Sequence, residues 1–289
     1  MTGPAPSSPS RAFATAALWI VDLDGVVWLT GQAIGDVADA IGVLRSHGVR
    51  VVFATNNSAP TTGQLLDRLE RIGIEATADN LATSAAAAAT LVEPGQSVRV
   101  LAEGGVLESL AERGVAVVNG DGDGNADAVE AAVVGWSRSF DFASLSATAA
   151  AARTSGRLIA TNEDPTHPTP DGLVPGSGAL LAAVATASGV TPEIAGKPHG
   201  PMAALMRDRF GFADGDASVV LIGDQPATDG RLAERLGVPF GLVDSGVTPA
   251  GLDHFDVPVG LRAPDFVSLV HDCLHGSSPP RAARANHAT

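Results

Sequence analysis

The chain has 289 residues, of which 45% are hydrophobic and 17% charged, and its formal net charge at pH 7 is −14. This composition is typical of a globular protein, and the length favours two domains over one. The acidic balance argues against nucleic acid and anionic membranes as partners, because both attract basic surfaces. The sequence contains no uninterrupted apolar run long enough to predict a transmembrane span.

The chain contains a single cysteine, Cys273, and its first residues lack the pattern of a secretory signal. One cysteine cannot form a disulfide within the chain and fits a reducing compartment, so we expect a cytoplasmic protein. Met1–Ser10 and Gly276–Thr289 are predicted to be frayed tails.

Two aspartates follow an apolar run near the start of the chain. Leu18–Val21 has the character of a buried strand, and Asp22, Asp24 and Gly25 come after it. Unpaired carboxylates are costly inside a strand, so they belong at its C-terminal end, where parallel sheets place their ligand sites. Two converging carboxylates suit a hard cation such as Mg²⁺. Taken alone, the pair is also compatible with a solvated strand end.

Three further motifs follow in chain order. They are Thr55–Ser58 after a second apolar run, Gly196–Pro198, and Gly223–Asp229 after a third apolar run. The order D-x-D-G-V, T-N-N-S, G-K-P and G-D-x-x-x-T-D resembles the haloacid dehalogenase superfamily of phosphatases. It is most similar to the NagD-like subgroup, which includes phosphoglycolate, glycerol-phosphate and pyridoxal-phosphate phosphatases with a large inserted cap. The resemblance covers the chain from about Leu18 to Val247.

Lysine usage supports the third motif independently of any family. Of the 18 basic residues, Lys197 is the only lysine. A lysine is a compact point charge and an arginine a planar fork, so the two are not interchangeable at a tight phosphate site. Survival of one surface lysine by chance is the alternative interpretation, and the position of Lys197 inside a motif argues against it.

Alternating strand and helix patterns predict an α/β fold: a Rossmann-like doubly wound parallel sheet core with an inserted α/β cap domain. We expect residues 1–82 and 191–289 to form the core and 83–190 the cap. The main predicted helices are Asp36–Arg45, Thr61–Ile72, Asn80–Leu91, Leu107–Arg113, Leu145–Arg153, Met202–Phe210, Arg231–Leu236 and Asp265–Leu274.

The resemblance implies a Mg²⁺-dependent phosphoric monoester hydrolase that acts through an aspartyl-phosphate intermediate. It implies that Asp22 is the nucleophile and that Asp24 is the general acid and then the general base. Related proteins without an acid at the second position are ATPases or transferases, so Asp24 favours hydrolysis. Lys197 is expected to neutralise the charge that develops on the phosphoryl group.

The resemblance also implies a metal site and a phosphate site. Mg²⁺ is expected to be held by Asp22, Asp224 and the main-chain carbonyl of Asp24. Asp229 is expected to orient Lys197 or a metal-bound water. The residues expected to bind the phosphoryl group are Thr55, Asn56, Asn57 and Lys197.

A loop of the insert, Ala160–Pro168, resembles the family's cap loop over the leaving group. His167 in this loop is a candidate contact to the substrate, or else a loop histidine bonded to backbone. The resemblance favours a small phosphate ester, with glycerol 3-phosphate first among the candidates. Caps of this subgroup can also mediate homodimers.

Two alternative functions stay open at this point. One is a sugar-phosphate mutase or phosphotransferase with the same aspartyl phosphate, for which the five arginines of the insert are few. The other is a catalytically silent phosphate-binding protein, which the intact Asp22, Asp24 and Lys197 disfavour. The acidic stretch Asp121–Asn125 lacks the later positions of a calcium loop and is predicted to be a solvated turn.

Overall fold

Two parallel sheets organise the chain in the computed structural model, which describes residues 9–119, 129–169, 172–248 and 254–275. The stretch Asp121–Asn125 and the tails, apart from Pro9 and Ser10, lie outside these residues. Helix α1 begins at Pro9, so the prediction that the tail extends to Ser10 is wrong by two residues.

Fifteen strands and ten α-helices span the described residues. In chain order the strands are β1 (Leu18–Asp22), β2 (Trp28–Leu29), β3 (Gln32–Ala33), β4 (Arg50–Thr55), β5 (Leu81–Thr83), β6 (Ser97–Leu101), β7 (Ala116–Val117), β8 (Ala131–Val134), β9 (Leu158–Ala160), β10 (Thr166–Thr169), β11 (Gly172–Pro175), β12 (Glu193–Ile194), β13 (Val219–Gly223), β14 (Phe240–Val243) and β15 (Leu261–Ala263). The helices are α1 (Pro9–Thr15), α2 (Val37–Ser46), α3 (Thr62–Arg71), α4 (Ser84–Ala89), α5 (Gly104–Glu112), α6 (Phe142–Ser155), α7 (Ser177–Ser188), α8 (Gly200–Phe210), α9 (Arg231–Leu236) and α10 (Phe266–His275).

The larger sheet has the strand order β15-β14-β13-β1-β4-β5, and every neighbouring pair is parallel. Strand β1 is central, and all five of its residues are buried, which explains its continuous apolar sequence. Trp19 and Val21 pack with helices α2, α3 and α10 on one face, and Leu18 and Ile20 pack with α4, α8 and α9 on the other. The predicted doubly wound α/β core is confirmed.

The smaller sheet lies in the inserted part of the chain and has the parallel order β12-β9-β8-β6-β7. Helices α6 and α7 pack on one of its faces, and α4 and α5 pack on the other. Its edge strand β12 lies beyond residue 190, in the segment predicted to lead back to the core. The division at residues 82/83 and 190/191 stays a prediction.

The prediction that a helix begins at Asn80 and runs to Leu91 is wrong at its start. Leu81–Thr83 forms β5, which pairs with β4 and completes the edge of the larger sheet. The Thr83 side chain then accepts a hydrogen bond from the main-chain N–H of Ala86 and caps α4. Helix propensity of the alanine run therefore governs only the residues after Thr83.

Among the described residues, no helix combines the length and the apolar character needed to cross a membrane.

Candidate active site

The four sequence motifs meet at the carboxyl edge of the larger sheet. Asp22 is the last residue of β1, Thr55 the last of β4, and Asp224 follows directly after β13. Lys197 reaches the same place from the connection that follows β12. The carboxyl ends of parallel strands lie at one edge of a sheet, so the polar residues that end these apolar runs lie close together.

Lys197 is bound by two carboxylates. Its Nζ is 2.8 Å from Asp22 Oδ1 and 2.7 Å from Asp229 Oδ1. The three side chains are almost completely buried, with exposed fractions of 6% or less. The other oxygen of Asp229 accepts a hydrogen bond from the main-chain N–H of Gln225. Asp229 is therefore held entirely by protein donors, and it fixes the ammonium of Lys197 against Asp22.

Asp224 leaves one carboxylate oxygen without a partner. Its Oδ2 accepts a hydrogen bond of 2.8 Å from the main-chain N–H of Val247, whereas its buried Oδ1 has no hydrogen-bond partner among the described residues. Carboxylate oxygens of Asp22, Asp224 and Asp229 all lie within 4.8 Å of one another. A buried acceptor without a donor is costly, and a cation at this position would remove that cost.

Burial and nearby charges shift the pKa values of this cluster. Desolvation raises the pKa of Asp22 well above its ordinary value, Lys197 opposes this, and the charges of Asp229 and Asp224 add to it. Desolvation and the charge of Asp229 raise the pKa of Asp224 to about 7. Burial disfavours the ammonium of Lys197, but Asp22 and Asp229 outweigh this and raise its pKa above the ordinary value. Three clustered carboxylates and one ammonium leave an excess of negative charge, which suits a divalent cation.

Gly25 allows Asp224 to approach the first motif. Its φ is +87°, and a Cβ at this position would lie 2.6 Å from Asp224 Oδ2 and 3.0 Å from the Cα of Gly246. Both the backbone conformation and the space therefore require glycine after the second aspartate. The G in the D-x-D-G motif has a local steric cause.

Asp24 is oriented by two side chains. Trp28 Nε1 donates a hydrogen bond of 3.0 Å to Asp24 Oδ1, and Thr55 Oγ1 donates one of 3.3 Å to Asp24 Oδ2. Trp28 is itself fully buried and begins the short β2–β3 hairpin. The sequence did not indicate this role for Trp28, because an indole four residues after an aspartate is compatible with many geometries.

Asn56 connects the third motif to the insert. Its Oδ1 accepts a hydrogen bond of 2.8 Å from the main-chain N–H of Lys197, and its Nδ2 donates to the Lys197 carbonyl at 3.1 Å and to Asp164 Oδ2 at 3.2 Å. Its own carbonyl accepts from Asn162 Nδ2 at 2.7 Å and from Ser84 Oγ at 2.6 Å. The side chain of Asn56 therefore positions the lysine backbone, a role that the sequence did not predict.

A cavity of about 740 Å³ is lined by residues at the carboxyl edge of the larger sheet and by loop and hairpin residues of the insert. The sequence-predicted residues that line it are Asp22, Asp24, Thr55, Asn56, Asn57, His167, Lys197 and Asp224. Asp229 does not line the cavity and lies beneath it against Lys197. The ring centroid of His167, in β10, is 5.5 Å from that of Trp136. Asp164, whose pKa is raised by burial, also lines the cavity and was not predicted.

Comparison with known families identifies the family of the chain. A family model described as haloacid dehalogenase-like hydrolase matches residues 19–116, and a second described as HAD-hydrolase-like matches residues 194–268. The chain belongs to the haloacid dehalogenase-like hydrolase family. This confirms the family predicted from the four motifs.

Individual relatives of this hydrolase agree with its class. The chain is 32% identical to the D-glycerol 3-phosphate phosphatase of Mycobacterium tuberculosis over 263 residues, which is 90% of this chain and 71% of that one. It is also 32% identical to the 5'-nucleotidase YutF of Bacillus subtilis over 234 residues, 80% of this chain and 88% of that one. The predicted NagD-like subgroup and the predicted enzyme class, phosphoric monoester hydrolase, are confirmed.

A solved structure shows the same fold. The glycerol phosphate phosphatase of Mycobacterium tuberculosis in complex with magnesium superimposes with a TM-score of 0.78 at 29% identity. The match covers 91% of this chain and 78% of that one.

Proposed function

We propose that this hydrolase is a Mg²⁺-dependent phosphatase that cleaves a small phosphate monoester through an aspartyl phosphate on Asp22. The observation that carries the proposal is the position of Asp22. Its Oδ1 is held by the ammonium of Lys197 and by the main-chain N–H of Leu23 at 2.8 Å each, while Oδ2 accepts no hydrogen bond from the described residues. Oδ2 is thus the free oxygen of a fixed carboxylate that lines the cavity, as a nucleophile requires.

The chemistry of the donors fits Mg²⁺. The cluster consists of carboxylate oxygens, without a histidine or cysteine that would favour zinc. Both oxygens of Asp229 are bound by protein donors, so we assign the metal to Asp22, to the unpartnered Oδ1 of Asp224 and to the main-chain carbonyl of Asp24. When bound, the ion supplies positive charge to the phosphoryl oxygens and to Asp22.

The residues of this chain account for both halves of the reaction. Asp22 Oδ2 attacks phosphorus, the bond to the ester oxygen breaks, and Asp24 gives its proton to the leaving alkoxide. Asp24 then removes a proton from water, which attacks phosphorus, releases inorganic phosphate and restores Asp22. The hydrogen bonds from Trp28 and Thr55 hold Asp24 in place for both transfers. Lys197, fixed by Asp229, neutralises the charge on the phosphoryl oxygens throughout.

The cavity indicates a small substrate. Loop residues of the insert, including Asp164 and His167, line it together with core residues, so bulky protein substrates are excluded from the reacting carboxylate. Glycerol 3-phosphate is the first candidate because the relative from Mycobacterium tuberculosis is named for that activity. The relative named as a 5'-nucleotidase makes nucleotides the second.

The arginines of the insert do not favour a mutase. A mutase needs several basic residues on its cap to retain a bisphosphate between two transfers, yet Arg138 is the only one of the insert's five arginines that lines the cavity. Arg113, Arg153 and Arg157 instead donate hydrogen bonds to main-chain carbonyls. Hydrolysis is therefore the better supported reaction.

Release of inorganic phosphate from a panel of esters tests the proposal. The panel contains glycerol 3-phosphate, nucleoside monophosphates, sugar phosphates and para-nitrophenyl phosphate, each assayed with Mg²⁺ for the wild type and for Asp22→Asn. We expect turnover of at least one small ester by the wild type and none by the variant. Absence of phosphate release from every ester, or transfer of the phosphate to a second alcohol in place of water, would contradict the proposal.

A further inference from the structure

Besides Lys197, two arginines line the cavity, Arg68 from helix α3 and Arg138 from the insert. Each lies over a tryptophan ring. The guanidinium carbon of Arg68 is 5.2 Å from the ring centroid of Trp28, and that of Arg138 is 5.1 Å from the ring centroid of Trp136. Neither guanidinium forms an ion pair or a hydrogen bond with the residues that the structure describes.

Stacking on a ring fixes a guanidinium without using its N–H groups. The charge of the guanidinium is attracted to the ring face, and its N–H groups keep a fork of donors that matches a carboxylate or a phosphate. In a chain with a net charge of −14, carboxylates that could pair with these arginines are abundant. Two guanidiniums in one cavity that are ordered by aromatic rings, and not by acids, therefore keep their donors available for a ligand.

The position of Arg68 relates it to the alcohol part of the substrate. The indole of Trp28 donates its N–H to Asp24 Oδ1 and carries Arg68 over its ring. Asp24 is the proposed donor of a proton to the ester oxygen, so the alcohol begins beside Asp24. Arg68 and Asp24 therefore contact the same indole, and both line the cavity into which the alcohol part extends.

Arg138 is held in the corresponding way on the insert. Trp136 Nε1 donates a hydrogen bond of 3.0 Å to the carbonyl of Pro175, and this fixes the ring on which Arg138 lies. The main-chain N–H of Arg138 donates to Glu103 Oε1 at 2.7 Å, which fixes the backbone as well. Both the backbone of Arg138 and the ring beneath its guanidinium are therefore held in place at the cavity.

We propose that Arg68 and Arg138 form a second anion subsite that binds a carboxylate or a second phosphate on the alcohol part of the substrate. This inference rests on the proposed phosphatase function and narrows its substrate class to phosphate monoesters with a second anionic group. Glycerol 3-phosphate is the first candidate by similarity to a named relative, but its neutral alcohol part leaves both arginines unpaired. The subsite therefore ranks esters with a second anionic group above it.

Matched pairs of esters test the subsite. 3-Phosphoglycerate differs from glycerol 3-phosphate only in a carboxylate that replaces a primary alcohol, and fructose 1,6-bisphosphate differs from fructose 6-phosphate by one phosphate. We expect the ratio of kcat/KM, anionic over neutral, to exceed about tenfold in at least one pair, because charge-assisted bonds to arginine are strong. The pair that shows the preference identifies the anion as carboxylate or phosphate.

Three variants locate the effect. Arg68→Gln and Arg138→Gln are each expected to lower that ratio by about tenfold or more. Arg71→Gln is the matched control, because Arg71 lies on the same helix α3 but is exposed and does not line the cavity. It should keep the wild-type ratio. Melting temperatures of the three variants show whether each is folded.

Ligand-induced shifts in melting temperature give a readout that does not need turnover. 3-Phosphoglycerate or fructose 1,6-bisphosphate should raise the melting temperature of the wild type more than its neutral counterpart does, and Arg68→Gln should remove the difference. Equal kcat/KM and equal thermal shifts within both pairs, or ratios unchanged in both arginine variants, would overturn the subsite. Failure of every ester to release phosphate, with the differential thermal shift intact, would instead overturn the proposed phosphatase function alone.

Discussion

The ammonium of Lys197 lies directly between the carboxylates of Asp22 and Asp229, with Nζ–Oδ1 distances of 2.8 Å and 2.7 Å. Asp229 has its second oxygen bound by a main-chain N–H, so its position is set by the backbone that follows β13. The charge beside the proposed nucleophile is therefore fixed from two sides before any substrate enters. Such preorganisation is the main source of electrostatic stabilisation in enzymes.

Replacing Lys197 by arginine should keep the positive charge but change its position relative to Asp22 and Asp229. The wider guanidinium does not fit between Asp22 and Asp229 without displacing one of them. We predict that Lys197→Arg lowers kcat by roughly 10²-fold, the usual cost of a misplaced stabilising donor. Assays well below the melting temperatures of both proteins separate this loss from unfolding. A variant within about threefold of the wild type would show that only positive potential matters.

Asn56 should act on the rate through Lys197. Asn56→Ala removes both hydrogen bonds that hold the Lys197 backbone, and we predict a fall in kcat of about tenfold or more. In the Lys197→Arg background, where the ammonium is already misplaced, the same change should cost clearly less. Equal losses in the two backgrounds, measured as a double-mutant cycle, would show that Asn56 acts independently of the lysine.

Cation binding should depend on pH through Asp224. Its pKa of about 7 in the folded chain exceeds the ordinary value of 3.8, so the folded protein retains a proton that the unfolded chain loses between these values. This lowers the stability of the metal-free protein as pH rises through that range, and a cation must displace the proton at low pH. We predict that Mg²⁺ raises the melting temperature more at about pH 8 than at about pH 5.5.

A pair of variants distinguishes Mg²⁺ binding at the proposed site from binding to surface carboxylates. Asp224→Asn should lose the Mg²⁺-dependent rise in melting temperature, whereas Asp256→Asn, at an exposed position outside the cavity, should keep it. Activity should also disappear in excess chelator. Full turnover in chelator, or an equal rise at both pH values, would exclude the assigned metal site.

His167 should affect the choice of substrate more than the chemistry. It lines the cavity beside Trp136, and in the part of the chain that the structure describes it forms no hydrogen bond or ion pair with Asp22, Asp24 or Lys197. We predict that His167→Ala changes KM or the ranking of esters while kcat for para-nitrophenyl phosphate changes less. His254→Ala, at an exposed position outside the cavity, serves as the control. An equal loss on every ester would indicate a structural role.

The sequence predicted which residues meet at one edge of the sheet because strand ends carry a local signal. Apolar runs that end abruptly in Asp22, Thr55 or Gly223-Asp224 indicate both the strands and the sheet edge at which their polar residues meet. The same reasoning failed at β5, where three residues complete a sheet although their alanine-rich surroundings favour helix. Sheet pairing, which is non-local, decided the outcome there.

Residues that support the site from a distance could not be predicted. Asn56 binds the backbone of Lys197, which lies 141 positions away in the chain, and it binds Asp164 across 108 positions. Arg68 belongs to a correctly predicted helix, yet its contact with Trp28 depends on how that helix packs on the sheet. The hairpin β10–β11 that carries His167 was missed because its short strands contain proline and polar residues.

Trapping of the phosphoenzyme tests the central claim most directly. Radiolabelled para-nitrophenyl phosphate is mixed with the wild type, Asp24→Asn or Asp22→Asn in Mg²⁺, the reaction is quenched in acid within one turnover, and the label is mapped by peptide. Its leaving group needs no protonation, so Asp24→Asn should complete the first step and accumulate the intermediate, because it lacks the base for the second. We predict acid-stable, hydroxylamine-sensitive label on the peptide that contains Asp22 in the first two proteins and none in Asp22→Asn. Release of labelled phosphate without any protein-bound label in the wild type and Asp24→Asn, or label on another residue, would contradict the account.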